Sequence, residues 1–183
     1  MFSVFFLGKS NLESVEATTR AGNISVREKS VVVKSTSFSS RVSNSSITVG
    51  ETVDFTLYGN NLDGLSAGTF EFTYDESKLK FEKLTPATEM KNVIYDVNSE
   101  RDGLVKMSFV SENIVGNDRD LVYLTFSAID SGSTKISFKA KDLYDFEFVP
   151  MTAGEIYSSV TVKEPVVVID YPDFELLIPE TIL

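Results

Sequence analysis

Asp75 and Glu76 stand side by side, and paired carboxylates of this kind can act as general acid and base. They fall in the stretch YDESKL, however, where acids are ordinary turn formers, and a turn is the simpler reading. Serines are plentiful, but a serine nucleophile needs a base to take its proton. The chain has no histidine and no cysteine. That removes histidine-based triads, thiolate nucleophiles, thiolate zinc sites and disulfides together. A serine–lysine pair is left open by composition, yet no strand-turn-helix elbow surrounds any serine. No phosphate-cradling glycine loop is present. Calcium takes oxygen ligands from loops, and two clusters have that make-up: Asn60, Asn61 and Asp63, and Asn117, Asp118 and Asp120. Neither has EF-hand spacing, and solvated loop acids are the simpler account. The expectation is a protein without catalytic activity, with no cofactor and no metal.

The elements that would position any site are strands. Phe70, Phe72 and Tyr74 alternate with Thr69, Glu71 and Thr73, so the aromatics share one face and the polar residues the other. Asp75 to Ser77 turn the chain, and Leu79 and Phe81 resume the apolar face. Upstream, Val31 to Phe38 reads as a first strand and Ser39 to Ser46 as a serine-rich link. Gly50 turns the chain into Val53, Phe55 and Leu57, and Gly59 to Gly64 is a loop of residues that tolerate positive φ. Downstream, Ala87 to Asn92 reads as a loop or short helical turn, and Val93 to Val97 as a strand. Asn98 to Gly103 is a hairpin turn ending in Asp-Gly. Val105, Met107 and Phe109 then point inward, and Ser111 to Asp120 is a polar loop. Val122, Leu124 and Phe126 follow, then Ile136 and Phe138 after a Ser-Gly-Ser-Thr turn. Leu143 to Val149 and Ser158 to Val162 complete the set. About nine strands, spaced mostly 8 to 12 residues apart, predict an all-β, antiparallel sandwich. Val53, Phe55, Leu57, Phe70, Phe72, Leu79, Phe81, Met107, Phe109, Val122, Leu124, Phe126, Ile136 and Phe138 should line its core.

Several of these stretches resemble cohesin modules. The Tyr74 to Leu79 turn matches the family's YD-x-S-K-L pattern after an apolar strand. Gly50-Glu51-Thr52-Val53 matches its opening turn. NIVGNDRDLVYLTF followed by SGST, and the closing Ser159-Val160-Thr161-Val162, match in order. The resemblance covers about residues 31–163 and implies a cohesin/immunoglobulin-like sandwich. Cohesins grip a dockerin on the sheet that contains the third strand. The resemblance therefore implies a partner-binding face with Thr69, Glu71 and Thr73, and Lys106, Ser108 and Val110 beside them. It implies a face only, and the ordinary reading of any one of these side chains is a solvated surface.

The flanks differ. Residues 1–30 read as an N-terminal arm with one short strand near Asn23 to Arg27, and residues 164–183 as an extended C-terminal arm. Phe2, Phe5 and Phe6 at one end, and Val167, Ile169, Phe174 and Leu177 at the other, are apolar and need cover. Pro165, Pro172 and Pro179 recur every seven residues and disfavour helix. A last strand folded on its own sandwich is the competing reading of the C-terminal stretch.

Asp and Glu total 27 against 17 Lys and Arg, a formal charge of -10. Such a surface repels phosphate backbones, so no nucleic-acid partner is expected. No stretch approaches the roughly 20 apolar residues that span a bilayer, so no membrane insertion is expected. Met1 to Gly8 lacks the basic start and long apolar run of a secretory leader. If Met1 is the natural start, the expectation is synthesis without a signal. Two functional readings follow, both of protein–protein interaction within a large assembly. One is an auxiliary or decoration subunit on a virion such as a phage head, which accounts for the arms and is the leading expectation. The alternative is a secreted or cell-surface cohesin module binding a dockerin-like partner.

Overall fold

The computed structural model describes residues 15–20, 23–28, 33–62, 64–90, 92–114 and 119–166. Two strands near the N-terminus, β1 (Val15–Arg20) and β2 (Asn23–Glu28), pair as an antiparallel hairpin. The single short strand expected near Asn23 is thus one half of a pair.

The remaining strands form two sheets. The smaller contains β4 (Ser37–Val42), β6 (Thr52–Asn60), β11 (Arg119–Ala128) and β8 (Leu79–Pro86), in that order. The larger runs β3 (Lys34–Ser35), β13 (Pro150–Thr152), β12 (Gly132–Asp145), β7 (Leu65–Tyr74), β10 (Leu104–Ile114) and β9 (Ile94–Asn98). It is completed by β14 (Ile156–Lys163), which pairs with β12, and β5 (Ser46–Thr48), which pairs with β14. A single turn of 3-10 helix, Thr88–Met90, sits where a short helical turn was expected.

The sandwich therefore has twelve described strands in place of nine, in sheets of eight and four. Part of the difference lies in the supposed serine-rich link, most of which is strand. Serines 37, 39 and 40 line β4 while Phe38 is buried. A partner ladder and one buried aromatic outweigh the low strand preference of serine. Another difference is that the expected strand carrying Ile136 and Phe138 runs on through Leu143 to Asp145 as β12, while residues 146–149 of the expected Leu143 to Val149 strand lie beyond its end. Register shifts between Lys141 and Tyr144, with Asp142 at a φ of 50°, let that one strand bend and carry on. The pairing is also not wholly antiparallel. Both β3 with β13 and β5 with β14 are short parallel pairs.

The core lies between the sheets. Thirteen of the fourteen expected core residues are buried, while Phe81 is half-buried. Strand β8 is at the sheet edge, and a register shift opposite Thr125 and Phe126 turns both Glu82 and Lys83 outward. Phe81 still packs edge-on against Phe126, with centroids 5.8 Å apart. The centre of the core is a ring cluster. Phe72 meets Phe55 at 5.9 Å and Phe138 at 5.3 Å, and Phe70 meets Phe109 at 4.6 Å. Edge-to-face and tilted pairs of this kind add to the gain from area burial.

Candidate partner-binding face

Strand pairing sets what lies beside what on the outer face of the larger sheet. Residues directly opposite in a ladder share a face, and every second residue repeats it. In β10 the buried Val105, Met107 and Phe109 alternate with Lys106, Ser108 and Val110, which point out. In β7 the buried Phe70 and Phe72 alternate with Thr69, Glu71 and Thr73. Lys106 is opposite Glu71 and Ser108 opposite Thr69, while Val110 faces Ala67 and Thr73 faces Leu104. All six residues expected on one face are therefore brought together there.

The sequence reading missed the neighbours. Strand β12 lies on the other side of β7, with Lys139 opposite Glu71, Lys141 opposite Thr69 and Tyr144 opposite Ala67. Strand β9 lies beyond β10, with Asn98 opposite Lys106, Asp96 opposite Ser108 and Ile94 opposite Val110. The signal for β12 was present: Lys135, Ser137, Lys139 and Lys141 alternate with Ile136, Phe138 and Ala140. Only the strand order places that stripe next to Glu71.

Glu71 is the electrostatic centre. Its side chain is 12% exposed, with one oxygen 2.9 Å from Lys106 Nζ and the other 2.6 Å from Lys141 Nζ. The Lys141 ammonium, with Lys106 beside it, holds the Glu71 carboxyl below its ordinary range. One carboxylate thus bridges two ammonium groups, and Lys139 stands opposite it on β12. The centre of this face gathers three lysines in a chain whose net charge is -10, with Asp96 and Glu155 as further acids close by. Thr69 and Ser108 link their hydroxyls across the strands at 3.1 Å. Towards the end where β12 finishes, the face turns apolar. Ile94 is 80% exposed, Val110 58% exposed, and Tyr144 in the same row is also exposed. A shallow depression between Ile94, Val110 and Glu112 lies at this end.

Among the described residues, the other candidates serve the turns and strands that carry them. Asp75 Oδ1 accepts from the Ser77 amide at 2.9 Å and the Ser77 hydroxyl at 2.7 Å, so this carboxylate closes its own turn. Asp120 accepts from Arg41 and from the Tyr123 hydroxyl, each at 3.0 Å, on the outer face of the smaller sheet. Asn61 serves the loop by adopting a φ of 53°. No cluster of three acids, histidines or cysteines suited to a metal occurs among the described residues. Asp63, Asn117, Asp118 and the arm residues Phe2, Phe5, Phe6, Val167, Ile169, Phe174 and Leu177 lie outside the described residues.

A family model of the cohesin domain matches residues 38–164. The chain belongs to the cohesin family. Solved cohesins share its fold. A cohesin module from a Clostridium perfringens family 33 glycoside hydrolase superposes with a TM-score of 0.62 at 14% identity, over 71% of this chain and 98% of that one. A non-cellulosomal cohesin from the archaeon Archaeoglobus fulgidus gives 0.58 at 16% identity, over 69% and 91%. A type I cohesin of Clostridium thermocellum, solved in complex with a dockerin, gives 0.56 at 15% identity, over 74% and 98%. At such identities the likeness shows the cohesin fold and nothing finer. None of the curated proteins matches the sequence.

Proposed function

We propose that this cohesin domain is a non-catalytic docking module that grips a dockerin-like helical protein on the outer face of β7, β10 and β12, in a secreted or cell-surface assembly. The observation that supports it is the family match together with the six face residues around Glu71. Among the similar structures, the Clostridium thermocellum cohesin and a Clostridium acetobutylicum cohesin were each solved bound to a dockerin. The cohesin match favours this reading over a virion subunit. Residues 1–30 and 164–183 are taken as arms flanking the sandwich.

The chemistry of the face suits a protein partner. The hydroxyls of Thr69, Thr73 and Ser108 donate and accept, the lysines pair with carboxylates, and Val110 and Ile94 offer apolar area at the rim. The test is titration of a panel of recombinant dockerin modules against the full chain by calorimetry. Binding should be lost with Thr69→Arg and kept with Thr125→Arg, which lies on the opposite sheet. Absence of binding across the panel, or equal sensitivity to both changes, would refute the assignment.

A further inference from the structure

The docking assignment leaves the outer face of the smaller sheet unused, and the side chains there are of a different kind. Strand pairing lays Arg41, Thr56, Tyr123 and Thr85 in one row and Asp54, Thr125 and Lys83 in the next. Short threonines stand in the middle and longer side chains beside them. The result is an open trough of about 490 Å³. Thr56 is buried at its floor. Among the described residues of β4, β6, β11 and β8, Tyr123 is the one large apolar side chain left exposed.

The rim of the trough is held in place. Asp120 accepts from Arg41 Nη2 at 3.0 and 3.3 Å, and from the Tyr123 hydroxyl at 3.0 Å. The Arg41 guanidinium also lies over the Tyr58 ring, 5.3 Å from its centroid. One carboxylate thus fixes a guanidinium and an aromatic ring together, and a ligand does not have to order them itself. In the next row Thr125 Oγ1 donates to Asp54 Oδ1 at 2.7 Å. The second Asp54 oxygen and the Lys83 ammonium have no side-chain partner among the described residues. The first can only accept when ionised, and the second can only donate.

This chemistry narrows the ligand. Arg41 and Lys83 balance Asp54 and Asp120, so the trough has no charge preference of its own. An anion would meet two carboxylates on a chain of net charge -10. A metal ion finds no cluster of three acids among the described residues. A protein partner is anchored by several large side chains in apolar pockets, and this face offers one exposed ring. What fits is an uncharged molecule with many hydroxyls and an apolar C–H face, which describes a sugar ring. A sugar hydroxyl can donate to Asp54 while it accepts from Lys83 or Arg41. The body of the Tyr123 ring is apolar and can cover the C–H face.

We propose that this trough binds a neutral oligosaccharide, with Asp54, Lys83 and Arg41 holding its hydroxyls and Tyr123 packed against one sugar ring. The site is on the opposite sheet from the docking face, so a protein partner and a glycan can be held at once.

The test is titration of the isotope-labelled full chain with neutral oligosaccharides of glucose, of xylose and of mannose, followed by amide chemical shifts. At least one of them should give saturable shifts centred on β6 and β11. Tyr123→Ala removes the ring and Thr125→Arg fills the trough, and each should weaken binding by about tenfold or more. Tyr157→Ala, which removes an exposed tyrosine from the larger sheet, should leave binding unchanged. Unchanged thermal melts check that the variants fold. No saturable shift with any of the three sugars would overturn the proposal. So would binding that survives both trough variants, or that Tyr157→Ala weakens equally, or an oligogalacturonate that binds as well as the neutral sugars. The dockerin titration reads the other sheet, so its failure and the failure of sugar binding are separate results.

Discussion

At the scale of single residues, Asp145 is the most committed acid of the described chain. It is buried at the end of β12 and accepts the Lys34 ammonium at 2.5 Å through one oxygen. Through the other it accepts the Glu147 and Val149 amides at 2.9 and 2.7 Å. Lys34 lies on β3, so this clasp joins the first strand of the sheet to the β12–β13 turn. The Lys34 hydrogen bond, helped by the two amides, holds the Asp145 carboxyl below its ordinary value near 3.8. Its stabilisation is therefore full above that value and lost as pH falls through the lowered native one. Lys34 is raised from 10.5 by the same bond, so its share is full below that value and lost as pH rises through the raised one. Melting temperature followed from pH 2 to 7 should fall more steeply with acid for the parent than for Asp145→Asn. The two curves should converge at the acid end, and parallel curves would show that the clasp does not titrate. Phe72 gives the second prediction at this scale. It is fully buried between Phe55 and Phe138, and Phe72→Ala should cost about 3–5 kcal/mol in denaturant unfolding.

At the scale of elements, β12 decides most of what its neighbours do. It is the longest of the described strands and carries β7 on one side, with β14 and β13 on the other. Thr134 points inward from it, is buried, and its hydroxyl has no hydrogen-bond partner among the described residues. Removing an unpaired buried hydroxyl removes a desolvation cost, and valine keeps the shape. Thr134→Val should leave stability unchanged or raise it by up to about 1–3 kcal/mol, and a clear loss would reveal a partner for the hydroxyl. Gly68 shows how closely β7 and β12 approach. A Cβ there would collide with Leu143 Cδ2 beside the bulged part of β12. Gly68→Val should destabilise the domain, and more so than Gly50→Val, whose open turn leaves space but has a φ of 91°. Thermal melts of the two variants check the ranking.

At the scale of the whole molecule, one core joins both sheets. Buried residues from Phe38 to Val162 belong to a single cluster. A chain trimmed to residues 31–166 should therefore keep one cooperative melt close to that of the parent. Loss of folding on trimming would place the arms within the domain.

Much of this was legible without the structure, because strand periodicity is a local property. Phe70, Phe72, Met107, Phe109, Leu124 and Phe138 alternate with polar residues, and a period of two assigns each to a face whatever its neighbours are. The turn residues at Gly50, Asp75 and Gly103, and the order of the cohesin-like stretches, were equally local. Pairing is not. Serines 37, 39 and 40 became part of a strand because β6 supplied a ladder, and the parallel pairings of β3 and β5 join segments more than a hundred residues apart. The lysines of β12 were visible as a stripe in the sequence, but their approach to Glu71 depends on β12 lying beside β7. A site spread over strands distant in the chain exists only once the sheet order exists. The sequence alone therefore determined which side chains face outward, and the tertiary structure decided which of them stand together.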